Sequence, residues 1–166
     1  MNLMGNNPQD HISELWDKIT PKLYGYLINT LKDPALADDI LQSAWLKAIE
    51  ALPRFNARGA GFSAWIFAIA RNEMKMHWRK GGREVRYDEA LHDHGNDSSE
   101  IENKILIDQI LETLSDDESE LIRLRYIADL SLGEIARILK INPITARVRM
   151  HRALAHARNN LKQTYP

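Results

Sequence analysis

The stretch from Leu130 to Leu161, LSLGEIARILKINPITARVRMHRALAHARNNL, constrains this chain more than any other. Ser131 is followed three residues later by Glu134, the spacing of a capping box. In that box the hydroxyl accepts the N–H at N3, and the N3 carboxylate accepts the N–H of the cap. Ile135, Ala136 and Leu139 then supply one apolar face for a short helix. Lys140-Ile141-Asn142 interrupts it, with Asn142 as a second N-cap and Pro143 at the first helical position, where its missing N–H costs nothing. From Ile144 the helical period resumes, placing Ala146, Met150, Ala153, Leu154, Ala157 and Leu161 on one face. Arg147, Arg149, Arg152, Arg158 and Lys162 fall largely off that face, and no acidic residue lies between Pro143 and Lys162. A short helix, a tight turn and a longer basic helix make a helix-turn-helix, whose second helix enters the DNA major groove. A helical hairpin with a solvated basic face carries the same charges. The small Ala136 at the crossing, the two caps and the one-sided charge favour DNA binding.

The whole-chain balance conceals this basic helix. The formal charge is −1 over 166 residues, but the charges are segregated. Basic groups dominate Arg71 to Arg86 and Arg147 to Lys162, and acidic groups dominate Asp88 to Glu120. Charges act locally because the Debye length is about 8 Å at physiological salt. Two basic patches therefore predict two nucleic-acid contacts on one chain. There is no cysteine, so thiolate chemistry, disulfides and Cys-based zinc sites are excluded. No apolar run is long enough for a bilayer, which predicts no membrane insertion, and the N-terminal residues do not read as a signal peptide. A cytoplasmic protein is expected.

Upstream, Ile12, Leu15, Trp16, Ile19, Leu23, Tyr26, Leu27 and Leu31 recur at helical spacing, with Pro21 as a kink or restart, after a polar and loose segment 1–9. Asp33 caps a second helix with Pro34 at its first position, and Leu36, Ile40, Leu41, Ala44, Trp45, Ala48, Ile49 and Leu52 face a core. Its other face carries Asp38, Asp39, Gln42, Ser43 and Glu50, with Leu46 among them. A lone exposed leucine is ordinary, although one flanked by carboxylates and an amide also fits a docking surface for a basic partner. After Pro53 comes a loop with Arg54, Arg58, Gly59 and Gly61, and then a helix from Ser63 to about Lys80. Phe62, Trp65, Ile66, Ile69 and Met76 form its core stripe, Phe67 is also expected in the core, and Arg71, Lys75 and Arg79 lie at i, i+4 and i+8. Aromatic rings interleaved with cations suit single-stranded nucleic acid, where bases stack and phosphates pair.

Gly81-Gly82 ends that helix, and 84–104 reads as a flexible acidic linker in which His92 and His94 lack the fixed partners of a metal site. A new helical pattern starts near Ile105, and Ser115 with Glu118 makes another capping box. No strand signal occurs. The expected fold is all-α: two small helical domains joined by the linker, the C-terminal one containing the helix-turn-helix. The boundaries expected are 1–83, 84–104 and 105–166. No phosphate-binding loop, triad spacing or HExxH motif is present, and Asp38-Asp39 and Asp116-Asp117 sit at helix starts where the macrodipole favours them. No catalytic residue, cofactor or metal is expected.

In this order, ALADDILQSAWLKAIEALPRF, GFSAWIFAIARN, the acidic linker and LRYIADLSLGEIARILKINPITARVRMHRAL resemble an extracytoplasmic-function sigma factor of bacterial RNA polymerase. The resemblance covers about 150 residues in unbroken order. It implies a domain that binds polymerase core, melts the promoter and reads the minus-ten element, and a second that reads the minus-thirty-five element. Asp38, Asp39, Gln42 and Leu46 match the family's surface for the clamp helices of the largest polymerase subunit. Arg58, Phe62 and Ser63 match the loop that captures an unstacked minus-ten base, and Arg71, Asn72, Lys75 and Arg79 match the minus-ten and melting helix. Thr145, Arg147, Val148, Arg149 and Arg152 lie on the helix that reads the minus-thirty-five element. The partners implied are polymerase core, promoter DNA and an anti-sigma protein. Three positions depart from the family pattern: Ser43 stands where a second acid is common, Lys140 where the turn usually has glycine, and Val148 where a small polar residue is usual. The alternatives are a sigma-like mimic that sequesters an anti-sigma protein and a stand-alone helix-turn-helix repressor.

Overall fold

The computed structural model describes residues 11–56, 61–81 and 98–164, with side chains described outside 98–104 and Thr164. Among them are seven α-helices and no strand: α1 Ile12–Leu31, α2 Pro34–Ala51, α3 Phe62–Gly81, α4 Ser98–Glu112, α5 Asp116–Ile122, α6 Leu132–Leu139 and α7 Pro143–Thr164. Residues 98–104, expected at the end of the linker, belong to α4. The loose segment 1–9, Arg58, and the linker residues 84–97 with His92 and His94 lie outside the described residues.

Local chemistry accounts for the helix boundaries. Helix α1 runs through Pro21, which is exposed, so the chain neither restarts nor breaks there. It ends at Lys32 in the left-handed conformation, whose N–H donates to the Ile28 carbonyl at 3.0 Å. Asp33 Oδ1 accepts the Leu36 N–H at 3.1 Å and caps α2, with Pro34 in the first turn. Capping boxes form at both expected places, Ser115/Glu118 before α5 and Ser131/Glu134 before α6. Each satisfies two N–H groups that the helix itself cannot, worth about 1 kcal/mol for the hydroxyl alone.

Helices α1 to α3 bury Leu23, Tyr26, Leu27, Trp45, Ile66, Phe67 and Met74 almost completely. Trp45, Phe55, Phe62 and Trp65 form an aromatic cluster with centroids 4.6–5.8 Å apart, and Trp16 leans on Trp45 at 4.7 Å. Such pairs add about 0.5–1.5 kcal/mol each beyond area burial. Two expected core residues are exposed instead: Ile49 at 48% and Met76 at 38%. Helical phase explains Met76, whereas Ile49 lies at the edge of the apolar stripe, where packing decides its exposure. Ala48 and Leu52 occupy the inward positions beside Ile49, while Met74 takes the inward position near Met76.

The two groups of helices share one core. Leu121, Leu124, Ala128, Leu130, Ile135, Ile138 and Met150 are contiguous with the buried residues of α1–α3. Helix α3 packs on α6, and α1 packs on the wide turn Arg123–Ile127 that follows α5. That turn is opened by one residue: the Ala128 N–H donates to Arg123 O, five residues back. Polar contacts surround the seam. Lys32 and Asn29 both bond Asp108 Oδ1, at 2.8 and 3.0 Å, and Arg123 Nε donates to Asn29 Oδ1 at 2.8 Å.

Candidate nucleic-acid and partner interfaces

The helix-turn-helix takes its shape from Lys140. Its φ of 55° is left-handed, its N–H donates to Arg137 O, and the Ile141 N–H donates to Ala136 O at 2.9 Å. These bonds are the Schellman arrangement that usually places glycine at this position. Ala136 beneath the turn is 1% exposed, and Asn142 Oδ1 accepts the Ile144 N–H at 2.8 Å to start α7. A lysine side chain in that conformation costs roughly 1–2 kcal/mol. Lys140→Gly removes the strain and adds unfolded-chain entropy, so a net gain of about 1 kcal/mol in urea unfolding is expected. A loss of stability would mean that the lysine side chain makes a compensating contact.

Helix α7 presents its other side to solvent. Ala146, Met150, Ala153 and Ala157 are buried against the domain, as the period requires. Arg147, Val148, Arg149 and Arg152 are exposed, and Thr145 is half-buried. Among the described residues no carboxylate engages these arginines. Ile144, at 72% exposure, stands one turn before Val148 on the same outward stripe. Its exposure was not read from the sequence, although the i, i+4 spacing to Val148 was a visible signal. The first two turns of α7 thus offer two apolar groups between arginines. This can contact thymine methyls as well as guanine edges and phosphates.

On α3, Asn72, Lys75 and Arg79 are exposed, as a nucleic-acid face requires. Arg71 is not. Its Nε donates to Glu120 Oε1 at 2.6 Å and its Nη2 to Oε2 at 3.0 Å, with side-chain exposure of 16%. The hydrogen bonds to Glu120 raise the guanidinium's affinity for its proton further, against the effect of burial. Tyr26 Oη donates to the same carboxylate at 3.2 Å, and burial with the nearby Glu120 charge keeps the phenol protonated well above its ordinary range. Phe62 is buried in the aromatic cluster and Ser63 is half-buried at the start of α3.

On α2, Asp38, Asp39 and Gln42 are exposed, and Leu46 is 62% exposed. Asp39, Gln42, Leu46 and Ile49 follow at steps of three, four and three, one continuous stripe on the helix. Ile49 extends the apolar end of this stripe, a residue that sequence periodicity had assigned to the core. Ser43 turns away from it and donates to Glu73 Oε2 at 2.9 Å, while Lys47 bonds the other oxygen. Burial pushes the Glu73 carboxyl up, but the hydrogen bonds from Lys47 and Ser43 outweigh it and hold the group below the usual range. A carboxylate from α3 is thereby fixed beside Ser43.

Among the described residues no helix is long and apolar enough to cross a membrane, and no cluster of three metal-binding side chains occurs. The Sigma-70 region 2 family matches residues 15–84, and the Sigma-70 region 4 family matches residues 104–156. The chain is 30% identical over 162 residues to the ECF RNA polymerase sigma factor SigD of Mycobacterium tuberculosis, a match covering 90% of this chain and 76% of SigD. It is 27% identical to the ECF RNA polymerase sigma factor BldN of Streptomyces coelicolor, over 87% of this chain and 58% of BldN. Among solved structures, the sigma factor RpoE crystallised with the anti-sigma factor NepR of Bartonella quintana superposes with a TM-score of 0.70 at 26% identity, covering 93% of this chain and 98% of that one.

Proposed function

Because this chain belongs to the extracytoplasmic-function sigma factors, we propose that it docks on RNA polymerase core through α2 and directs the enzyme to promoters through α3 and α7. The observation that carries this reading is the outward basic face of α7 on a correctly capped helix-turn-helix, with a second basic face on α3. The stripe Asp39–Gln42–Leu46–Ile49 is the surface for the basic clamp helices. Helix α7 reads the minus-thirty-five element in the major groove, and Asn72, Lys75 and Arg79 follow the minus-ten strand. Arg71 joins them when Glu120 releases it.

Strand opening draws its free energy from captured bases, roughly 1–3 kcal/mol for each one stacked. The loop before α3, with Arg58, takes the first of them. No nucleotide hydrolysis enters this scheme. The chain acts in the cytoplasm, where core polymerase and promoter DNA are its partners. An anti-sigma protein, as NepR is for RpoE in the Bartonella structure, is the regulator this fold accommodates.

Run-off transcription with purified bacterial core tests the scheme. Lys75→Ala is expected to bind core normally but to open linear duplex promoters roughly tenfold less well, the loss of one charge-assisted contact. A template already mismatched at the minus-ten region should restore most of the transcript. Absence of rescue would place the Lys75 defect outside strand opening.

A further inference from the structure

We propose that Glu120 is an internal competitor of promoter DNA, a carboxylate from the C-terminal domain that latches the minus-ten helix shut by occupying Arg71. The inference rests on the reading of α3 as a DNA-binding helix, and it adds a state in which that helix is masked.

The geometry is that of a phosphate contact. Arginine binds carboxylate and phosphate alike through a planar two-pronged fork. Here both prongs are engaged, at 2.6 and 3.0 Å, by the two oxygens of one carboxylate. The acceptor is held in place, since Tyr26 Oη donates to it from a ring that is fully buried. Arg71 is the first of the three cations spaced i, i+4, i+8 along α3, whereas Lys75 and Arg79 remain exposed. The seam therefore removes one end of the basic stripe and leaves the rest displayed.

The closed packing is incompatible with reading a whole promoter. The two elements are by their names some 25 base pairs apart, about 85 Å at 3.4 Å per pair. Helix α3 is only about 30 Å long at 1.5 Å per residue. It lies directly against α6, the first helix of the helix-turn-helix, so α3 and α7 cannot reach both elements at once. The domains have to part, and parting breaks the Arg71–Glu120 fork along with the contacts of Asp108 to Lys32 and Asn29, of Arg123 to Asn29, and of Lys22 to Asp129. Each of these links a residue of α1, its cap Lys32 or α3 to one beyond residue 104. The cation that opening releases is the one that the minus-ten strand then takes up, so docking and DNA capture favour the same open state.

Two variants of the full chain test this. Glu120→Gln keeps the shape and removes the charge, so it should tighten binding of a short fluorescein-labelled single-stranded oligonucleotide about tenfold, the worth of one hydrogen-bonded charge pair. The converse is a reversible lock. A Cβ built on Gly25 of α1 would lie 3.5 Å from Cγ2 of Ile127, within reach of a disulfide, and the chain contains no cysteine of its own. Gly25→Cys/Ile127→Cys should weaken oligonucleotide binding and lose core-dependent transcription when oxidised and recover both on reduction. Unchanged oligonucleotide affinity in Glu120→Gln would overturn the proposal, as would equal transcription by the oxidised and reduced double variant. If Glu120→Gln tightens oligonucleotide binding while no form of the chain programmes core enzyme, the latch stands and the sigma-factor scheme fails.

Discussion

Asp39→Arg is expected to weaken binding to RNA polymerase core by about thirtyfold, roughly 2 kcal/mol, because a like charge is then set against basic clamp residues. Asp39 is exposed and makes no contact that the fold needs, so far-UV circular dichroism and the melting temperature should not change. Leu46→Ala probes the same stripe without altering charge. Its side chain is 62% exposed in the free chain and in the proposed scheme is covered by docking, so its loss should cost affinity and not stability. Core affinity within twofold of wild type for both variants would remove α2 from the polymerase interface. A fall in affinity accompanied by a fall in helicity would assign the effect to folding instead.

Leu124→Ala should destabilise the chain by about 2–5 kcal/mol, and the whole molecule should still unfold in one calorimetric transition. Leu124 is completely buried in the opened turn between α5 and α6, in the core shared with α1–α3. The turn packs closely on α1, where Gly25 lies opposite Ile127. A cavity at Leu124 therefore withdraws contacts from both groups of helices. Two separate transitions, with only one displaced by the substitution, would show that the domains melt independently and that the shared core contributes little. Guanidinium titration followed by Trp fluorescence gives a second view, because Trp16, Trp45, Trp65 and Trp78 all lie in the N-terminal domain.

Charge and apolarity together explain why the two substitutions should differ in kind. The Asp39 surface is solvated in the free chain, and in the proposed scheme its contribution comes only from a partner. Leu124 has its full complement of neighbours already, so its loss is felt before any partner arrives. The proposed latch at Glu120 lies between these cases: it is a polar contact at the rim of an apolar seam, engaged in the free chain and open to competition from a partner.

The sequence by itself determined the elements and their ends. Asp33-Pro34, Ser115 with Glu118, Ser131 with Glu134, and Asn142-Pro143 act within one turn of their own helices, and each forms the cap expected of it. The same holds for the inward face of α7, because burial at Ala146, Met150 and Ala153 repeats with the helical period. The sigma-factor resemblance was equally legible, since it rests on the order of such local segments. Tertiary structure alone decided which residues of one domain meet the other. Arg71 and Glu120 are 49 positions apart, and Lys22 and Asp129 are 107 apart. Nothing periodic links such pairs, and any carboxylate of the acidic half satisfies an arginine as well in the abstract. The exposure of Ile49 was settled in the same way. An isoleucine beside an apolar face belongs to the core or the surface according to the angle at which α3 and α1 approach α2, and that angle is fixed by packing across the whole chain.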